Sequence, residues 1–340
     1  LDTALDMGGV APELRAGARA LGGDVTAPIP ATGSVDTVVH CAASVSFGLS
    51  LDDARRVNVD GTRHALDAAE RAGARYVHVS TAYVAGRHRG VFAEDDLDRG
   101  QRLRNTYEQT KLEAELLVAD ARPDAVVLRP SIVVGESTTG WTSAFNVLYW
   151  PLRAFDRGLI DAVPARPGAR VDVVPVDYVA DAIAHVVLER PDVTGVLHLA
   201  AGHDAVTAAE LVALAADALG RPRPAFTADG AALAGRSEEL ARYLPYFDVE
   251  TVFDDARARA ILDPAAIRAP ALATYFDRLI AFAREAHWGK RAVTRPQPDT
   301  AASRVPPPRH FSAAQPRSYV RGARAPASEN RLRDSADGGR

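Results

Sequence analysis

Cysteine and lysine are nearly absent from this chain, and each scarcity excludes something. One cysteine, Cys41, in 340 residues leaves no disulfide framework and no zinc or iron–sulfur centre built from several thiolates. No metal site is expected. No apolar run approaches the ~20 residues needed to span a bilayer. The opening LDTALDMGG has neither the basic start nor the apolar stretch of a secretion signal. A soluble protein of the cytoplasm is the expectation. Of 40 basic residues only two are lysine, Lys111 and Lys290. The stretch 287–340 holds 11 basic against 4 acidic residues, so the rest of a chain with net charge −4 carries −11. An acidic body argues against nucleic-acid binding, which needs a basic face for phosphates.

What is present is a core. With 47% apolar residues, the length fits one large or two modest domains. Apolar strands alternate with amphipathic helices: VDTVVH at Val35–His40, a helix over Leu51–Ala72, YVHVS at Tyr76–Ser80 and a helix over Asn105–Asp120. AVVLR at Ala125–Arg129 follows, then a helix over Asp177–Leu188 with Asp177 as N-cap, a strand at Val196–Ala200 and a helix over Thr207–Leu219. That order predicts an α/β fold, a doubly wound, Rossmann-like parallel sheet covered on both faces. Residues 136–175 and 221–285 break the alternation and are candidates for substrate-facing insertions beyond the carboxyl ends of the strands. The chain divides into a dinucleotide-binding part at 1–202, a smaller substrate subdomain at 203–289 and a disordered, Pro/Arg-rich basic tail at 290–340.

The sharpest chemical signal is Tyr107-Glu-Gln-Thr-Lys111 at a helix start. Spacing of four puts phenol and ammonium on one helical face, where the cation should lower the Tyr107 pKa and make it a usable acid or base. With nine Tyr and two Lys, chance would supply roughly 0.05 such pairs at one spacing. Val79-Ser-Thr-Ala-Tyr-Val-Ala-Gly86 follows a strand and puts hydroxyls where a parallel sheet presents its ligand site. His40-Cys-Ala-Ala-Ser44 offers small residues for close approach of a flat ligand. Val57-Asn-Val-Asp-Gly-Thr62 places Asn58 and Gly61 inside a helix that both residue types disfavour, so something other than propensity keeps them there.

HCAAS, NVDGT, VSTAYVAG, YEQTK, LRPSIVVG and VPVDYVADAI, in this order, resemble the extended short-chain dehydrogenase/reductase superfamily. HCAASVSF, RPSIVVG and the late FDRLIAFAREAHWG are most similar to its thioester-reductase and fatty acyl-CoA reductase (male-sterility) branch, over roughly residues 10–288. The resemblance implies an NAD(P)H-dependent reductase of an acyl thioester, aldehyde or ketone, with NADP(H) favoured over NAD(H). It also implies a small-molecule or carrier-bound acyl substrate. Tyr107 would be the proton donor, Lys111 its partner and a ribose ligand, Thr81 the hydroxyl that polarises the carbonyl, and Asn58 part of a water-linked proton path. Asp24 and Val25 would hold the adenine, His40, Cys41, Ala42 and Ala43 would line the dinucleotide, and Pro130, Ser131, Ile132 and Val133 would flank the nicotinamide.

One departure is large. The family opens on a strand and a GxxGxxG turn that brings the cofactor phosphates to a helix N-terminus; Gly8-Gly9 and Gly22-Gly23 do not match it. The expectation is that the first strand, first helix and second strand are missing from this chain, and that it alone binds dinucleotide weakly. Two other functions stay open. An epimerase, dehydratase or hydroxysteroid-type dehydrogenase would use the same scaffold, although Ala82-Tyr83 beside Thr81 offers no carboxylate for sugar dehydration. A non-catalytic dinucleotide-binding or degenerate fragment is the third.

Overall fold

The computed structural model describes residues 18–30, 33–145, 147–227 and 242–296, all within one compact unit, Leu1–Pro298. β1 (Thr37–His40) leads to α1 (Leu51–Arg55) and α2 (Gly61–Ala72), which are joined by a π-helical turn over Arg56–Asp60. β2 (Arg75–Val79), a 3-10 turn at Ala82–Ala85 and β3 (Gly90–Phe92) precede α3 (Thr106–Ala121). Then come β4 (Val126–Pro130), β5 (Ile132–Val134), α4 (Tyr149–Asp156), β6 (Val173–Pro175), α5 (Val176–Leu188) and β7 (Gly195–Leu199). The described chain closes with α6 (Ala208–Leu219), β8 (Thr251–Phe253), α7 (Ala256–Leu262) and α8 (Phe276–Glu285).

The main sheet runs β1-β2-β4-β7, every pair parallel, with His40 level with His78 and Arg129 level with His198. Parallel neighbours need a crossover, and the helices supply it from both faces. Val77, Val126 and Leu128 pack against Val179, Ala182 and Val186 of α5 on one face. Tyr76 and Val127 pack against Ala65, Leu66 and Ala69 of α2 and Val118 of α3 on the other. This is the doubly wound α/β architecture that the alternation predicts.

β4 is buried along its whole length, Arg129 included. A buried guanidinium persists only when paired. Glu115 of α3 takes Nε and Nη2 of Arg129 at 2.7–3.1 Å, and the Asp96 carbonyl takes Nη1 at 2.9 Å. That pair fixes α3, and with it Tyr107 and Lys111, over the carboxyl half of the sheet. The Asn105 side chain caps α3 by accepting from Glu108 N at 3.0 Å. Thr207 and Glu210 form a capping box on α6.

Three sequence expectations need correction. The helix over Leu51–Ala72 is not one α-helix but two, split at Asn58 by the π turn. Asp177 does not cap α5; its carboxylate instead accepts from Ser137 N at 3.0 Å and Ser137 Oγ at 2.5 Å, tying the loop after β5 to that helix. The chain also keeps contact with the body past Gly289. Trp141 Nε1 donates to Val293 O at 3.1 Å, and Arg295 pairs with Glu136 at 2.6 Å. The remainder of the expected tail, 297–340, and the first 17 residues lie outside the described residues. Among the described residues, no helix is long and apolar enough to cross a membrane.

Candidate active site

β2 ends at Val79 and turns at once into the 3-10 turn, because Thr81 caps it: Thr81 Oγ1 accepts from Tyr83 N at 3.2 Å. The same hydroxyl bonds the Tyr107 hydroxyl and lies 3.4 Å from the Pro130 carbonyl. Thr81, Tyr107, Ser131, Ile132 and Val133 thus meet at the carboxyl end of the sheet, on a cavity of about 160 Å³. Phe47, Tyr243 and Tyr246 form an aromatic wall, with the Phe47 ring 5.6 Å from Tyr107 and 5.1 Å from Tyr246. Sequence reading missed the wall, whose parts lie up to some two hundred residues apart.

Enclosure decides the state of Tyr107. Burial pushes its pKa up to about 12, against the Thr81 hydrogen bond, with Glu108 raising it further. The expected lowering by Lys111 is absent: among the described residues, Lys111 is not one of the groups acting on this phenol. Lys111 is 3% exposed, and its ammonium donates to Val79 O at 2.9 Å and sits 3.5 Å from His78 Nε2. Burial brings its pKa down to about 8, opposed by Glu115 and Cys41. The next carboxylate on α3, Glu108, is buried against Arg104, at 3.1 Å from Nη1 and 2.7 Å from the backbone N.

Asn58 and Thr62 of NVDGT each have a task. Asn58 Oδ1 accepts from Ser44 N at 2.8 Å, and its Nδ2 donates to Ser44 O and to Thr110 Oγ1 at 3.2 and 2.9 Å. The amide therefore ties the loop after β1 to α3, and a π turn, a device common at functional sites, accommodates it. Gly61 has no side chain because a Cβ there would come within 2.7 Å of Val25 Cγ2. Thr62 Oγ1 donates to Asn58 O at 2.7 Å and contacts His40 Nε2 at 3.2 Å. Burial and Lys111 push the His40 pKa down to about 4, so its imidazole is neutral.

Cys41 and Ala42 are exposed and Ala43 half-buried at the carboxyl end of β1, leaving open backbone for a flat ligand. The Asp24 carboxylate accepts from Thr26 N and Oγ1, both at 2.9 Å, in an exposed turn whose Val25 packs on α2. Among the described residues, no group of three His, Cys, Asp or Glu side chains could hold a metal ion. Besides the wall, His78 is a residue that sequence reading did not single out. The pattern YVHVS does hold a signal for His78, since it shares the Tyr76 face of the strand.

With this geometry in hand, relatives give it a lineage. The male sterility protein family matches residues 29–183. Over that span the chain is similar to the male sterility family. It is 31% identical over 180 residues to fatty acyl-CoA reductase 1 of Xenopus laevis, covering 43% of this chain and 35% of the relative. The chain thus spans about a third of the length of that reductase. Among solved structures, the terminal R domain of the myxalamid biosynthetic pathway superposes with a TM-score of 0.70 at 22% identity, covering 86% of this chain and 81% of that one. MoeE5 in complex with UDP-glucuronic acid and NAD gives 0.57 at 26% identity, covering 74% and 80%. The male sterility segment contains Asn58, Thr81, Tyr107 and Lys111, and the R domain shares its parallel fold.

Proposed function

We propose that this chain is an NADPH-dependent reductase of acyl thioesters carried on coenzyme A or on a carrier protein. The observation that carries this reading is the Thr81–Tyr107 hydroxyl pair on the floor of an aromatic-walled cavity, one helical turn from a buried Lys111. The male sterility match and the reductase relatives support it; the choice of NADPH over NADH rests on the family resemblance.

The residues at the site fit the nicotinamide, ribose and adenine parts of a dinucleotide, while the glycine turn that would take its phosphates is not matched in this sequence. Lys111 spends two of its three ammonium protons on Val79 O and His78 and keeps one for a ribose hydroxyl. Exposed Cys41 and Ala42 leave the loop after β1 open beside it, Asp24 and Val25 would take the adenine end, and Pro130–Val133 would flank the nicotinamide. When bound, NADPH supplies the hydride for the carbonyl carbon. Thr81 and Tyr107 both line the cavity, where their hydroxyls would hold the carbonyl oxygen and stabilise its developing charge. Because burial holds the Tyr107 pKa near 12, the phenol is protonated throughout the neutral range and serves as donor. It protonates the oxygen to give a hemithioacetal; that hydroxyl then loses its proton as the C–S bond breaks, and the departing thiolate takes up a proton, yielding aldehyde and thiol. The aromatic wall keeps water from the adduct.

A sugar-nucleotide reading is disfavoured at the same site. Ala82 and Tyr83 beside Thr81 are buried, and neither can serve as the carboxylate that dehydration needs. The test is NADPH consumption and thiol release from a panel of acyl-coenzyme A substrates. Stoichiometric aldehyde and thiol support the reading; NADPH binding without thiol release from any thioester overturns it.

A further inference from the structure

Behind the aromatic wall lies a second cavity, of about 520 Å³, whose lining has six arginines, Arg87, Arg89, Arg99, Arg102, Arg104 and Arg166, against two carboxylates, Asp248 and Glu250. Four of the six are neutralised. Arg166 pairs with Asp248 and Glu250, Arg89 with Glu250 at 3.2 Å, Arg99 with Asp96 at 2.9 Å and Arg104 with Glu108 at 3.1 Å. Arg87 and Arg102 have no carboxylate among the described residues. Their backbones are held side by side, because Arg87 N donates to Arg102 O at 2.8 Å. A Cβ on the preceding Gly86 would come within 2.6 Å of that same carbonyl, so the two loops touch backbone to backbone.

Two cations on adjoining backbone segments, neither with a carboxylate partner among the described residues, leave an excess of positive charge here. An anion offsets that excess, and arginine forks match phosphate oxygens in pairs. Arg104 adds rigidity and a second sign of vacancy. Its side chain is 4% exposed and its Nη1 is fastened to Gly86 O at 2.5 Å, yet its buried Nε has no partner. Its guanidinium lies 5.9 Å from the Tyr83 ring centre and 5.4 Å from that of Tyr246, and both rings line the reaction cavity. The two cavities are therefore separated by one layer of side chains, which a pantetheine arm is long enough to cross or skirt.

We infer that the Arg87–Arg102 pair, backed by Arg104, binds the phosphate of the phosphopantetheine arm that presents the thioester. The inference rests on the thioester reading, and it names the anionic handle by which the substrate is held. Free coenzyme A and a carrier protein's modified serine present the same phosphate, and the site recognises what they share.

Calorimetric titration of the full chain with 4′-phosphopantetheine and with pantetheine isolates the phosphate, because neither probe carries adenine to compete for a dinucleotide site. The phosphorylated probe should bind about tenfold more tightly or better, as charge-assisted bonds to phosphate require, with the advantage shrinking as salt rises. In the double variant Arg87→Ala/Arg102→Ala, both positions exposed, that advantage should vanish while pantetheine affinity stays. Equal binding of the two probes by the parent chain, or full discrimination in the double variant, overturns the site. Repeating the titration with coenzyme A and with a carrier domain bearing the arm tells which source binds; either one losing affinity in the double variant upholds the inference. Both probes are thiols and need no turnover, so failure here leaves the reductase reading to its own assay.

Discussion

Lys111→Met should make the protein more stable while disabling it. The ammonium is almost wholly buried, and burial lowers its pKa from 10.5 to about 8. A depression of about two and a half pH units corresponds to ~3 kcal/mol spent on keeping the charge in the fold at neutral pH. Methionine keeps the unbranched stem and drops the charge, but leaves the Val79 carbonyl and His78 Nε2 without their donor. A lost buried hydrogen bond returns about 1–2 kcal/mol of that gain. The variant should therefore resist urea better by about 1–2 kcal/mol at pH 7. The sign of the pH dependence follows from the depressed pKa. Between about pH 8 and 10.5 the unfolded chain holds a proton on this lysine that the folded chain lacks, so the stability of the parent rises with pH. The variant lacks this contribution, and its advantage should shrink by ~3 kcal/mol across that window and reverse near its top. Groups that do not face Lys111 cancel in the difference, and Cys41, whose pKa Lys111 lowers, is changed to Ser in both proteins so that it drops out as well. Urea midpoints for both, measured at pH 7, 8, 9 and 10.5, supply the test. A stability difference that stays flat with pH would refute the buried-charge argument, whatever its sign at neutrality.

Three further outcomes follow from the same contacts. Tyr107→Phe should cut thioester turnover by roughly a hundredfold or more while NADPH affinity, by titration, stays within a few-fold; turnover near the parent value would remove Tyr107 from its role. Gly61→Ala should push Val25 off α2, since the new Cβ meets Val25 Cγ2 at 2.7 Å, and weaken NADPH binding several-fold with Val25→Ala restoring it; unchanged affinity in the single variant would dissociate the Asp24–Val25 turn from the adenine. A chain ending at residue 289 should melt a few degrees below one ending at 296, because it loses the Trp141–Val293 bond and the Glu136–Arg295 pair, together about 1 kcal/mol. Coincident melting curves would show that those contacts contribute nothing.

How far the site could be read from sequence depended on how local each constraint is. Tyr107 and Lys111 are one turn apart on one helix, so their pairing is visible as a spacing. Their electrostatics are not, because burial dominates both, and much of what encloses them comes from elsewhere: Thr81 from the end of β2, Val79 O and His78 from within that strand. The result inverts the expectation for Tyr107, whose phenol is raised by enclosure, and puts the depressed pKa on the lysine instead. Asp177 shows the same limit on a smaller scale. A carboxylate two residues after a proline at a helix start looks like a cap, yet a loop forty residues earlier claims it through Ser137. Asn58 is the opposite case. Its low propensity for a helix interior was legible as a local conflict, and local conflicts concentrate where tertiary contacts over-rule propensity. The structure supplies those contacts in Ser44 and Thr110, which makes Asn58 a clamp between the loop after β1 and the helix that carries Tyr107. Replacing it should then disturb both sides at once. Asn58→Ala leaves Ser44 N and Thr110 Oγ1 to find other partners, so dinucleotide affinity and turnover should fall together. A variant that lost turnover alone, with NADPH affinity unchanged, would instead give Asn58 a role confined to proton transfer.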